Sequence, residues 1–251
     1  MSSNSDFDVI LLLLAKDKQL RSDFQKLLAE TEVLSLFLKD KDPVELLRGM
    51  ALRRRLVHGE RKPLVICGPS GVGKGTTIAG LLKQFPLVFA QSKSFTTRKP
   101  REDDNFTNKY LFVSKEEFLE KKQKHGEFLE DTTYNGQFYG TSVGSLEEIV
   151  KAERVPLIEV EINSTLKLRM GGFEANYLFI MPPRPFEQTL RERMAKRGDP
   201  AERIEQRIKI ALTELAMLEG LTYFDVLENA SLDTFNQQLL EKLREWYPTL
   251  L

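Results

Sequence analysis

One cysteine in 251 residues, Cys67, leaves the chain without an intramolecular disulfide, and no CxxC pair exists to hold a metal or run redox chemistry. Cys67 lies in the apolar run Leu64–Val65–Ile66–Cys67 and is expected to be a small buried hydrophobe. An excess of one charge is missing too: Lys+Arg and Asp+Glu both number 37, so the formal net charge is zero. That balance gives no reason to expect nucleic acid as the main partner, and any anion must be met by local clusters. Long hydrophobic runs are absent near the start. The stretch Val9 to Ala15 falls far short of the ~20 residues a membrane span needs. Asp6 and Asp8, not Lys or Arg, precede it, so neither a span nor a secretory signal is expected. Together these absences predict a cytoplasmic protein with no membrane partner.

What is present is an ordinary globular balance, 41% hydrophobic and 29% charged, long enough for one large domain or one domain with an appendage. The two regions differ in texture. Residues 1–60 hold no glycine before Gly49 and show helical spacing at Phe7, Ile10, Leu11 and Leu14, then at Leu20, Phe24, Leu27 and Leu28. Asp42–Pro43 predicts an N-cap with proline at the first helical position, opening a helix to about Leu56. This predicts a helical N-terminal extension that packs on the core, self-associates or regulates motion. The Arg53–Arg55 cluster is expected as a solvated helix face.

Residues 61–251 read as strand, loop and helix in alternation. Strands are expected at Leu64–Cys67, Tyr110–Val113, Val155–Ile162 and Tyr177–Met181, and helices at Thr76–Phe85, about 185–197, 200–219 and 232–246. Ser114-x-x-Glu117 and Ser145-x-x-Glu148 have the form of capping boxes. The expectation is an α/β domain with a central, mostly parallel sheet flanked by helices.

The first strand runs straight into Gly68-Pro69-Ser70-Gly71-Val72-Gly73-Lys74-Gly75-Thr76. A glycine-rich loop between a strand and a helix is the context a P-loop requires. Glycines let successive N–H groups turn toward phosphate oxygens, the helix N-terminus adds partial positive charge, and Lys74 reaches the β- and γ-phosphates. Gly75 stands where Ser or Thr usually supplies a hydroxyl to Mg²⁺. Further on, Arg98-Lys99-Pro100-Arg101 sets two guanidinium forks around a rigid proline, a chemistry suited to a phosphate dianion.

In the order P-loop, then Ser94-Phe95-Thr96-Thr97-Arg98-Lys99-Pro100-Arg101, then Asp104 and Tyr110, the chain resembles the guanylate kinases. The resemblance covers about residues 62–246. It implies a P-loop kinase fold (core loop 64–90) with a small GMP-binding subdomain (91–145) and a helical lid (184–208), using ATP and Mg²⁺. Ser94, Arg98, Arg101, Asp104, Tyr110 and Tyr139 would then bind GMP, with Glu130 and Thr141 meeting its base. Guanine presents adjacent N1–H and N2–H donors that one carboxylate can accept, while Ser94 and Thr141 hydroxyls suit O6. Adenine would leave Glu130 unpaired. Glu159 and Glu161 match an acidic strand pattern that holds Mg²⁺ through water and contacts guanine, with Thr76 a substitute hydroxyl for the metal. Arg193, Arg197 and Arg207 match the lid arginines, whereas Arg203 is expected in solvent. Asn229 would border the adenine of ATP. The implied reaction is ATP + GMP = ADP + GDP. A non-catalytic scaffold of the same fold, or a kinase preferring AMP, remains a rival at this point.

Overall fold

The computed structural model describes Gln19 and residues 61–100, 109–123, 127–134, 136–170 and 173–251. The expectations for residues 1–60, for Arg101 and for Asp104 lie outside the described residues.

A five-stranded, all-parallel sheet forms the centre, in the order β2-β7-β1-β8-β9. Its strands are β1 (Leu64–Cys67), β2 (Phe89–Gln91), β7 (Val155–Glu159), β8 (Asn176–Met181) and β9 (Asp225–Glu228). β1 is buried throughout because both of its faces are covered, which is why its sequence is a continuous apolar run. Alternate residues go to opposite sides. Leu64, Ile66, Leu157, Leu178 and Ile180 pack with α1 (Lys74–Gln84), α5 (Phe186–Lys196), α6 (Ala201–Leu218) and α7 (Leu232–Trp246). Val65, Ile158 and Tyr177 pack the other way, against Leu146 of α3 (Val143–Lys151) and Leu168 of α4 (Ile162–Met170). Cys67 is fully buried, with Phe179, Leu215 and Leu218 in its cluster.

A second sheet of four strands, β4-β3-β6-β5, is mixed. It comprises β3 (Ser94–Thr96), β4 (Tyr110–Phe112), β5 (Phe128–Tyr134) and β6 (Gln137–Ser142). Its apolar side is aromatic. Phe118 of α2 (Lys115–Gln123) stacks on Phe128 at 4.7 Å between ring centroids, and Phe95 packs tilted on the same ring at 5.6 Å.

Several local expectations need correction. The capping serine of α3 is Ser142, whose Oγ accepts from Ser145 N at 3.3 Å; Ser145 instead accepts from Lys93 N at 2.9 Å, tying α3 to the loop before β3. β7 stops at Glu159, not Ile162, because the Glu161 carbonyl already accepts from Ser164 N and Thr165 N as α4 begins. Asp199, between α5 and α6, gives its carboxylate to two arginines. Ser114 supplies the capping half of its expected box, its Oγ accepting from Glu117 N at 3.0 Å. No helix among the described residues is long and apolar enough to cross a membrane.

Candidate active site

β1 lies between β7 and β8, and the chain passes from one side of it to the other through α4. Ligands in open parallel sheets settle at the carboxyl ends of strands around such a reversal. A cavity of about 390 Å³ opens there, where the end of β1, the end of β7, the second sheet and α6 converge. That is room enough for a small-molecule ligand.

The β1 end is shaped by backbone. Gly68 sits at φ +144°, and a Cβ on it would stand 2.6 Å from the Ile180 carbonyl oxygen; Gly73, at φ +112°, would place one 2.7 Å from Asn229 Nδ2. Both positions therefore exclude side chains. Val72 N donates to Pro69 O at 3.2 Å, closing the turn within Gly68–Gly73. From outside, Asn229 Nδ2 donates to Val72 O at 2.8 Å, and the Arg193 guanidinium donates to Val72 O at 3.3 Å and Asn229 O at 2.7 Å. Asn229 and Arg193 thus brace the loop and do not line the cavity. Gly68, Ser70, Lys74 and Gly75 do line it. Lys74 Nζ folds back onto Gly68 O at 2.6 Å and Pro69 O at 3.3 Å. Thr76 is exposed and outside the cavity, whereas Thr77 is buried with its hydroxyl on Gly73 O at 3.1 Å.

The opposite end is shaped by side chains. Glu130 of β5 is 7% exposed. Its Oε1 accepts from the Thr141 hydroxyl at 2.6 Å, while Oε2 has no partner among the described residues. Burial raises the Glu130 pKa, with the nearby Ser164 and Thr141 hydroxyls offsetting part of that. Thr141 has only one hydroxyl proton, and here it serves Glu130 and not a ligand carbonyl. Ser94, Arg98, Tyr110 and Tyr139 line the same wall. The Arg98 guanidinium lies 5.0 Å from the Tyr110 ring centroid and donates to Lys99 O at 2.8 Å, which holds it at the cavity edge.

Between the two ends lie acids. Glu159 receives Lys109 Nζ at 2.9 Å. Burial alone would raise its pKa, but Lys109 and then Lys74 outweigh it and hold the carboxyl below its ordinary value. Among the described residues Glu161 has no such ion pair. Burial, and then repulsion from Glu214, push it up to about 8 despite Lys74. Burial likewise lifts Glu214 of α6 to about 7. Arg207 is 7% exposed; its NH1 donates to Asp199 Oδ2 at 2.9 Å, Arg197 pairs with the same carboxylate, and Arg207 Nε is unpartnered among the described residues. Arg197 and Arg207 line the cavity, whereas Arg203 is exposed and does not.

Lys109, Ser164 and Glu214 line this cavity without having been anticipated. Glu214 left a trace, an acid inside the stripe Ile204, Ile208, Ala211, Leu215 that otherwise faces the core. Lys109 and Ser164 left none, because each is placed beside an acid about 30 to 50 positions away, Glu159 for Lys109 and Glu130 for Ser164.

A strand feeding a glycine loop into a helix, under a parallel sheet and over an arginine- and acid-lined cavity, defines the class: a P-loop kinase fold. Within it, the chain belongs to the guanylate kinase family, whose model matches residues 60–246. It is 33% identical over 214 residues to "Guanylate kinase 1" of Oryza sativa subsp. japonica, covering 84% of this chain and 55% of that one. It is 35% identical over 174 residues to "Guanylate kinase" of Schizosaccharomyces pombe, covering 69% and 85%. The crystal structure of guanylate kinase from Anaplasma phagocytophilum matches with a TM-score of 0.56 at 25% identity, over 76% of this chain and 89% of that one. The match spans 55% of the Oryza sativa relative and 41% of the Arabidopsis thaliana one, about half of each.

Proposed function

We propose that the protein transfers the γ-phosphoryl of ATP to GMP, giving ADP and GDP, in the cytoplasm, whose reducing conditions suit a lone buried thiol. One observation carries this reading. The three buried polar atoms without a partner among the described residues, Glu130 Oε2, Ser164 Oγ and Arg207 Nε, all belong to residues lining the one cavity that also holds the P-loop lysine. Buried polar groups left unpaired are costly, so a ligand that satisfies them together is favoured. Guanine N–H donors suit Glu130, and phosphate oxygens suit Arg207 and Lys74.

In the reaction an oxygen of the GMP phosphate attacks the γ-phosphorus in line, and the bond from that phosphorus to the β–γ bridging oxygen breaks. Lys74 exchanges the carbonyls of Gly68 and Pro69 for phosphate oxygens of ATP. Arg98 and Tyr110, with Arg101 from the neighbouring segment, hold the acceptor phosphate, and Tyr139 adds a hydroxyl. Arg197 and Arg207, relieved of Asp199, neutralise charge on the transferring group, the role of a lid over residues 184–208. Arg193 and Asn229 act from behind, by fixing Val72 and hence the loop.

The carboxylates fit a magnesium ion. Among the described residues no group of three or more His, Cys, Asp or Glu side chains could hold a metal alone, but Mg²⁺ keeps several waters and needs only one or two carboxylates beside substrate phosphates. Thr76 points away and Glu159 is engaged by Lys109, which leaves Glu161 and Glu214, two acids whose mutual repulsion a cation would relieve. When bound, Mg²⁺ supplies charge neutralisation at the phosphates.

An ADP-release assay with GMP, AMP, CMP and UMP tests the proposal. Turnover is expected with GMP above the others. Silence with all four would overturn the kinase reading, and preference for AMP would overturn the guanine assignment.

A further inference from the structure

Ser164 is the third residue of α4, in its first turn, and a serine inside a helix can satisfy its hydroxyl by bonding back to a carbonyl three or four residues earlier. Its neighbour Thr165 does this, donating to Ile162 O at 2.7 Å. Ser164 does not. The residue is 1% exposed, its Oγ has no partner among the described residues, and it lines the cavity at the same wall as Glu130. Its hydroxyl forgoes the local carbonyl and stands near enough to the Glu130 carboxylate to ease the cost of its charge, which leaves the Ser164 lone pairs for a ligand.

Guanine has three N–H bonds on the edge that Glu130 would read, one at N1 and two at the exocyclic 2-amino group. A carboxylate in plane with the base accepts from N1–H and from the nearer amino hydrogen. The second amino hydrogen points away from it and needs another acceptor. A serine hydroxyl has two lone pairs and one proton, so it can accept from that hydrogen while donating toward the Glu130 carboxylate.

We propose that Ser164 is a specificity-determining residue that accepts the second hydrogen of the guanine 2-amino group, so that Glu130 and Ser164 together distinguish guanine from a purine lacking that group. This rests on GMP being the acceptor. The consequence concerns inosine monophosphate, which keeps N1–H and O6 but has no 2-amino group. Glu130 serves both nucleotides; Ser164 serves only GMP.

The experiment measures kcat/KM for GMP and for inosine monophosphate, at saturating ATP, in the full chain and in its Ser164→Ala and Glu130→Gln variants. Both substrates are read on the same preparation, so any loss of folded protein cancels in their ratio. Ser164→Ala is expected to lower kcat/KM for GMP about five- to tenfold, the scale of one net hydrogen bond, and to leave inosine monophosphate within about twofold. Glu130→Gln is expected to lower both. Ser164→Gly, which also removes the hydroxyl, is expected to reproduce the Ser164→Ala ratio. An equal fall for both substrates in Ser164→Ala, or no fall for either, would overturn the proposal while leaving GMP as the acceptor. An unmodified chain that rejects GMP would overturn the functional reading itself, and the proposal with it.

Discussion

The two ends of the cavity are built on different principles. At the end proposed to take the phosphates of ATP the wall is built on backbone, with Gly68 and Gly73 in conformations that exclude side chains. All of it lies within nine consecutive residues. At the end proposed to take the base the wall is built of side chains, drawn from β3, β5, β6 and the start of α4. A site made of backbone must be local in sequence, since successive N–H groups have to point at one place. A site made of side chains need only be local in space. Arg193 and Asn229 show the dependence of the first on the second, because both reach from distant segments to hold Val72 O.

The sharpest way to break this contrast is at the lysine that the glycine loop itself contributes. Lys74→Met should lower kcat by about 10²-fold or more, the scale for losing one preorganised charge-stabilising donor. Steady-state rates beside a thermal melt check this, since the fold should be little changed. Next comes the backbone itself. Gly68→Ala should cost about 2–3 kcal/mol of stability, because the new Cβ meets the Ile180 carbonyl and φ is positive. A melt unchanged from the parent protein would mean that the loop is looser than its contacts indicate. At the base end, Glu130→Gln should lower kcat/KM for GMP about 10- to 100-fold with KM for ATP unchanged within about twofold. Equal losses for both nucleotides would erase the distinction between the ends.

The acids between the ends give a smaller, pH-dependent effect. Glu161 and Glu214 have folded pKa values near 8 and 7, above their ordinary 4.5. The folded chain therefore binds more protons than the unfolded one between those values. Their contribution is fully present below about pH 4.5 and is lost as pH rises toward 7–8, by at most about 1.4 kcal/mol per pH unit for each group. Denaturant titrations across pH 5–8 should show that slope without nucleotide, and Glu214→Gln should flatten it. The smallest effect is expected at Gly75, where an added Cβ meets nothing within 4 Å. Gly75→Ser should leave stability within about 0.5 kcal/mol, seven residues from a glycine where any side chain is harmful.

Legibility in the sequence followed the same division. The parallel core announced itself because β1 and the centre of β8, Tyr177–Ile180, are covered on both faces and so form unbroken hydrophobic runs. The three C-terminal helices were readable to within a residue or two from periodicity alone, down to Leu232–Trp246. The short strands β2, β3 and β9, three or four residues each, carried too little pattern to be seen. Ser145 was misread as a cap because Ser142 offers the same hydroxyl three residues earlier, and only the contact with Lys93 separates the two.

By itself, the sequence determined the P-loop, the order of elements around the parallel sheet, and the singling out of Glu130, which the structure buries in the cavity wall. Each of these is set by consecutive residues or by a periodic pattern, which a linear chain displays directly. Only the tertiary structure decided that Glu159 is held by Lys109, that Glu214 crowds Glu161, that Asp199 holds both Arg197 and Arg207, and that Ser164 stands beside Glu130. Those are balances between burial and charge among groups far apart in the chain, and their sign depends on distances that no spacing in the sequence encodes.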